Sequence, residues 1–151
     1  GLGSALLLLL GQCVGGLVAG LTYFTVLSAT FSLRPGEGHS ANSAFIVEVV
    51  FSAVLALVFL GVTSQRQPHP YHGLAVGSVV TAAGFAIGGL SGCALNPALA
   101  LGVLGSHWAA TGRGTEFLHL YLLAPLLGGV VAALLHRCFL ARGDARRPLP
   151  S

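Results

Sequence analysis

Four apolar stretches, residues 2–29, 44–63, 74–90 and 117–140, constrain this chain more than any other feature of it. Each reaches the ~17–25 residues that a helix needs to cross ~30 Å of hydrocarbon. In lipid no water is present to bond the backbone, so such long apolar runs must be helices. Charged residues make up 7% of the chain and apolar ones 54%. That excludes a disordered chain and argues against a water-soluble fold. Glycine occurs 22 times, and small residues let helices approach closely in a bilayer. Gly11, Gly15, Gly16 and Gly20 mark such a face on the first stretch. The expectation is an all-α, multi-span membrane bundle over residues 1–140, with a basic tail at 141–151.

One segment breaks the pattern of simple spans. Between the third and fourth stretches lies Gly92-Cys93-Ala94-Leu95-Asn96-Pro97-Ala98-Leu99-Ala100-Leu101-Gly102. Asn96 is a strong N-cap residue, because its side-chain oxygen accepts from the free N–H groups of a first helical turn. Pro97 suits the first helical position, where its missing N–H costs nothing. The run to Leu104 is apolar and helix-forming, and Gly105 is the expected stop. The predicted helix, residues 97–104, is about 10–12 Å long at ~1.5 Å per residue and cannot cross a bilayer. A capped apolar helix set between spans predicts a re-entrant half-helix whose start lies at membrane depth. Backbone of that kind is tolerated only where it is packed in protein or lines a cavity.

Charge places the ends. All seven basic residues are Arg, and the net charge is +3. With four spans, Arg66, Arg137, Arg142, Arg146 and Arg147 share one side, while Arg34 and Arg113 share the other. The positive-inside rule then predicts a cytoplasmic C-terminus and a half-helix that enters from the outer side. The positive charge thus speaks to topology and to the lipid bilayer, not to a nucleic-acid partner. Cys13, Cys93 and Cys138 are scattered in apolar sequence and form no disulfide or metal pattern. The chain has no Met and opens on Gly1 before an apolar run, so a fragment or a processed chain is the expectation.

Few residues offer chemistry. Glu48 stands near the start of the second span, where an ionisable group costs ~2.5–3.5 kcal/mol on insertion scales unless paired or near the interface. The functional reading is a loop support, a carboxylate accepting from the non-helical backbone before Asn96, whose N–H groups need partners. The plainer alternative is a carboxylate reaching for the headgroups. Pro68-His69-Pro70-Tyr71-His72 carries two of the six His, and without a third ligand a solvated loop outweighs a metal or pH site. Trp108 and Tyr121 fit the aromatic belt of the outer interface. No convergent acid, base or nucleophile, phosphate loop or serine elbow is present, so neither an enzyme nor a cofactor is expected.

The stretch Ser91-Gly92-Cys93-Ala94-Leu95-Asn96-Pro97-Ala98 resembles the second Asn-Pro-Ala loop of the aquaporins, the major intrinsic proteins. Gln12-Cys13-Val14-Gly15 is similar to the third helix of that family, and Glu48 with Ser52 to its fourth. Ala124-Pro125-Leu126-Leu127-Gly128-Gly129 resembles the sixth. The resemblance covers helices three to six, nearly the whole chain. It implies that the first two helices and the first half-helix of an aquaporin-like fold are missing here.

It also implies a function, a passive channel for water and small neutral solutes, usually as a homotetramer. Asn96, Pro97 and Ala98 would line the pore, with Asn96 donating to a passing hydroxyl. The carbonyls of Gly92, Cys93 and Ala94 would offer acceptors along the approach. The family's selectivity ring falls on Gly84, Cys93 and Leu99, the last at a position usually held by Arg. Gly84 removes bulk and Leu99 removes a cation-repelling donor, so a wider, more apolar constriction is implied, open to glycerol or hydrogen peroxide. Leu at this place resembles the divergent, unorthodox branch of the family. The plain alternatives are a packing residue at Leu99 and a small apolar filler at Cys93. A non-conducting protein that keeps the fold for helix packing or adhesion is the rival from another class.

Overall fold

The computed structural model describes residues 2–64 and 70–144. Their regular structure is entirely helical: α1 (Leu2–Leu27), α2 (Ala41–Thr63), α3 (His72–Ser91), α4 (Pro97–Thr111) and α5 (Leu118–Asp144). Four of the five, all but α4, are long and apolar enough to cross a membrane. The basic tail lies outside the described residues from 145 on, as do Arg66, Pro68 and His69.

The boundaries follow local chemistry. Ser40 caps α2, its Oγ accepting from the Ser43 N–H at 3.1 Å, so this helix starts three residues before the apolar run at 44. α4 runs past Gly105 to Thr111, which corrects the expected end at 104. A glycine inside a helix costs only ~1 kcal/mol, and Gly105 lies against Leu17 of α1, where packing outweighs that cost. The cap is instead Gly112, left-handed at φ +69°, with its N–H donating to the Trp108 carbonyl at 2.7 Å. At 15 residues α4 spans about 22 Å, still short of a bilayer.

Packing sets the order across the bundle as α1, α4, α5, α2, α3. α1 and α4 run parallel with backbones in contact: a methyl placed on Gly16 or on Gly102 would strike the backbone of the facing helix. The core is correspondingly small in side-chain volume, with Ala44, Ala83, Ala100, Ala124 and Ala132 all fully buried. Large apolar side chains point outward instead, among them Leu7, Val26 and Phe85, the last 89% exposed. In water such a surface would drive aggregation. In lipid it is solvated, and helix association rests on close small-residue contacts.

Residues 28–40 close one end of the bundle. Thr30 Oγ1 lies 2.6 Å from His107 Nδ1, Ser32 Oγ donates to the Gly114 carbonyl at 3.0 Å, and the Gly36 N–H donates to the Leu90 carbonyl at 2.8 Å. This strap ties the C-terminal ends of α3 and α4 to the loop that follows α4. The start of α4, at the exposed Asn96, therefore lies about three turns of helix away from the His107 end that the strap holds.

Candidate functional site

The five residues between α3 and α4 form the least ordinary backbone among the described residues. Gly92, Cys93 and Leu95 have φ of +87°, +54° and +52°, a region that residues other than glycine enter rarely and at a cost of ~1–2 kcal/mol each. The conformation turns three successive N–H groups to one side. Cys93 N–H donates to Ser91 Oγ at 3.2 Å, Ala94 N–H to Glu48 Oε1 at 2.9 Å and Leu95 N–H to Glu48 Oε2 at 2.8 Å. Ser91 Oγ adds a fourth bond, donating to Glu48 Oε1 at 2.7 Å. Glu48 is fully buried. An unbonded carboxylate there would be prohibitive, and bonds to a charged acceptor contribute about 1.5–3 kcal/mol apiece, enough to hold the strained turns.

The opposite side of the loop follows from peptide geometry. No peptide bond in the described chain is cis, and in a planar trans peptide the carbonyl points opposite to the N–H of the next residue. With the N–H groups of 93, 94 and 95 turned toward Glu48 and Ser91, the carbonyls of Gly92, Cys93 and Ala94 face away from them. The loop thus has a donor edge satisfied by protein and an acceptor edge turned outward.

At the end of this loop Asn96 starts α4. Its φ is −145°, and its Oδ1 accepts from the Ala98 N–H at 2.9 Å, with Pro97 at the first helical position. Because Oδ1 makes the cap, the Nδ2 amide is the part of the side chain left to donate. The helix also presents its positive dipole end here, equivalent to about half a charge.

A further residue completes the support. Tyr121 is fully buried on α5, and its hydroxyl donates to the Ser91 carbonyl at 2.5 Å. This corrects the expectation of an interfacial aromatic, whereas Trp108 is 57% exposed. One signal pointed to it: a Tyr within an apolar span needs a partner for its hydroxyl. The chain Tyr121–Ser91–Glu48 runs from α5 through the end of α3 to α2, so three helices hold the loop.

Two cavities meet at Asn96. One, of about 410 Å³, lies toward the strapped end and is walled by α1, α4 and the strap, including Tyr23, Thr30, Leu99 and Ser106. The other, of about 560 Å³, lies toward the opposite end between α2, α3 and α5, including Ser52, Phe59, Val80 and Pro125. Asn96 and Gln12 belong to the wall of both. Ala98 lines the first and Pro97 the second. The three residues expected to form a constriction are not gathered on one cavity. Leu99 is on the first; Gly84 is exposed on α3, with nothing within 4 Å of where a side chain would begin. Cys93 packs with Ala83, Ile87 and Leu95 in a small cluster. Among the described residues no three His, Cys, Asp or Glu side chains are gathered to hold a metal.

Four helices long and apolar enough to cross a membrane, with a shorter capped helix that begins at the junction of two cavities, define a multi-pass membrane protein with a re-entrant element. The chain belongs to the major intrinsic protein family, whose model matches residues 2–136. It is similar to the glycerol uptake facilitator protein of Pseudomonas aeruginosa, 32% identical over 127 residues, covering 77% of this chain and 46% of that protein. The glycerol uptake facilitator protein of Escherichia coli K12 is 30% identical over 127 residues, covering 77% and 45%. Aquaporin Z of Photorhabdus laumondii is 24% identical over 149 residues, covering 88% and 62%. The chain thus spans less than two thirds of the length of these relatives.

Proposed function

We propose that this chain contributes to a passive, bidirectional membrane channel for water and small uncharged solutes such as glycerol or hydrogen peroxide. One observation carries the reading: Asn96 belongs to the wall of both cavities, with its oxygen committed to the cap and its Nδ2 left to donate. A solute passing from one cavity to the other meets that donor, the outward carbonyls of Gly92, Cys93 and Ala94, and the positive end of α4. Neutral hydrogen-bonding molecules gain replacements for their hydration there, while cations and protons meet an unfavourable field. The names of the relatives, glycerol uptake facilitator and aquaporin, agree with this class. No acid–base pair or nucleophile is needed for such flux.

Leu99 at 44% exposure on the first cavity offers apolar surface where a charge would exclude larger solutes. Glycerol-sized molecules therefore fit the reading better than strict water selectivity. The Arg distribution supports a cytoplasmic C-terminus, which makes the strapped end the outer one. A homotetramer belongs to the same proposal, by family resemblance.

The decisive experiment is stopped-flow swelling of vesicles carrying the full-length protein, unaltered and as Asn96→Asp. Asp still caps a helix, so the fold survives, but the donor is replaced by a negative charge. Water and glycerol entry should fall at least tenfold. Equal rates for the two proteins, or unaltered protein that swells no faster than empty vesicles, would sink the channel reading in favour of a non-conducting role for the fold.

A further inference from the structure

Gln12 is a polar residue at membrane depth that the pore reading above does not use. It stands ten residues after the start of α1 at Leu2 and fifteen before its end at Leu27. That is about 15 Å along the helix, half of a ~30 Å hydrocarbon core. The residue is exposed, and its carboxamide makes no hydrogen bond to any described residue. Hydrocarbon offers a carboxamide no partner, and leaving its donors and its acceptor unmade is costly. A wet wall removes that cost.

Helix register supplies the wall. Gln12, Gly16, Gly20 and Tyr23 follow one another at spacings of four, four and three, the repeat of one helical face, and all four line the first cavity. On that face Gly16 lies against the Ala98 carbonyl, and Gly20 against the Gly102 carbonyl and the Ser106 hydroxyl. Each turn of α1 is thus matched by a turn of α4 running the same way. One turn before Gly16, Gln12 falls level with the start of α4, where Asn96 stands. The cavities agree, since Gln12 joins Asn96 in the lining of both.

We propose that Gln12 is a second contact for the permeant, its Oε1 accepting the proton of a hydroxyl whose oxygen accepts from Asn96 Nδ2. The inference rests on the channel reading and deepens it by naming a side-chain acceptor at the junction and the class of solute that it favours. A hydroxyl, in water or in a short polyol, donates and accepts through one oxygen and so satisfies both side chains at once. A neutral solute that only accepts bonds with Asn96 and leaves the Gln12 oxygen unpaired. The contact accounts for the missing intramolecular bond, because the partner of Gln12 is the transported molecule.

The test uses the full-length protein in vesicles, unaltered, as Gln12→Met and as Gln12→Cys, with swelling rates for water and glycerol and melting temperatures in detergent. Met keeps the length and the helix propensity of Gln and removes its hydrogen bonds. Water and glycerol entry in Gln12→Met should each fall at least threefold at an unchanged or raised melting temperature. Gln12→Cys reports position. Methyl methanethiosulfonate should cut its flux at least fivefold beyond any effect on the unaltered protein, and glycerol in the bath should slow that loss. Flux in Gln12→Met within threefold of the unaltered protein overturns the proposal, as does Gln12→Cys flux that the reagent leaves untouched. If Gln12→Met misfolds or melts lower, the reagent block of Gln12→Cys and its protection by glycerol decide. Unaltered protein that fails to swell overturns the channel reading and this inference with it, whereas unaltered protein that swells no faster than either variant overturns the Gln12 contact alone.

Discussion

The Glu48 carboxylate holds the Leu95 amide at 2.8 Å while Leu95 sits at φ +52°, a conformation that leucine rarely adopts. The two residues are 47 apart in sequence and on different elements. One buried charge on α2 thus fixes the turn from which α4 departs and the direction of three outward carbonyls. Glu48→Gln tests this. An amide has one oxygen where the carboxylate has two, so at least one of the three bonds to Glu48 is lost, and an NH₂ is set against a backbone donor. The expected cost is about 2–3 kcal/mol, read as a lowered melting temperature in detergent, with flux reduced tenfold or more. A variant as stable and as permeable as the original would show that the loop holds its own shape.

Tyr121 should behave as a support and not as a pore group. Tyr121→Phe keeps the ring in the core and removes only the bond to the Ser91 carbonyl, at an expected cost of about 1–2 kcal/mol. Tyr121→Ala also opens a cavity and should cost about 3–5 kcal/mol. Thermal melts of the two variants separate these effects. A Phe variant that melts with the original would mean the hydroxyl is dispensable.

The α1–α4 contact depends on absent side chains. Gly102→Ala places a methyl against the Gly16 backbone, and overpacking of this kind costs about 1–3 kcal/mol. Gly15→Ala, one residue away from Gly16 and with nothing within 4 Å, should be neutral or gain the ~1 kcal/mol of helix propensity. Size-exclusion profiles and melting temperatures compare the pair. The same response from both would show that α1 and α4 are not in backbone contact.

Leu99→Arg should narrow the range of solutes. The guanidinium would enter the 410 Å³ cavity beside Asn96 and Ser106, adding bulk and a donor with a fixed positive charge. Glycerol entry is expected to fall at least fivefold relative to water entry in the same vesicles. A constant ratio of the two rates would place residue 99 outside the path.

The sequence by itself determined the all-helical class, the four apolar spans and the start of α4 at Asn96-Pro97. Each of these rests on signals that act within a few residues: a hydropathy run, a side-chain cap, a ring that cannot donate. Tertiary structure decided the rest. Gly105 reads locally as a stop, yet it stays helical because Leu17 packs on it, and the helix ends at Gly112. Tyr121 reads as an interfacial aromatic, and only the approach of α5 to the end of α3 gives its hydroxyl a buried carbonyl. Gly84 reads as a neighbour of Leu99 on a constriction, and the structure leaves it exposed on α3, outside the lining of the cavity that Leu99 walls. Glu48 reads either as an acceptor for the backbone before Asn96 or as a carboxylate reaching for the headgroups, and how α2 and α3 are set against each other decides for the first, with residues 94 and 95 as its donors. Local signals act through neighbouring backbone dihedrals and hydrogen bonds, which the order of residues specifies directly. Which side chains meet across 30 to 80 residues depends on how whole helices pack, and no short stretch of sequence encodes that.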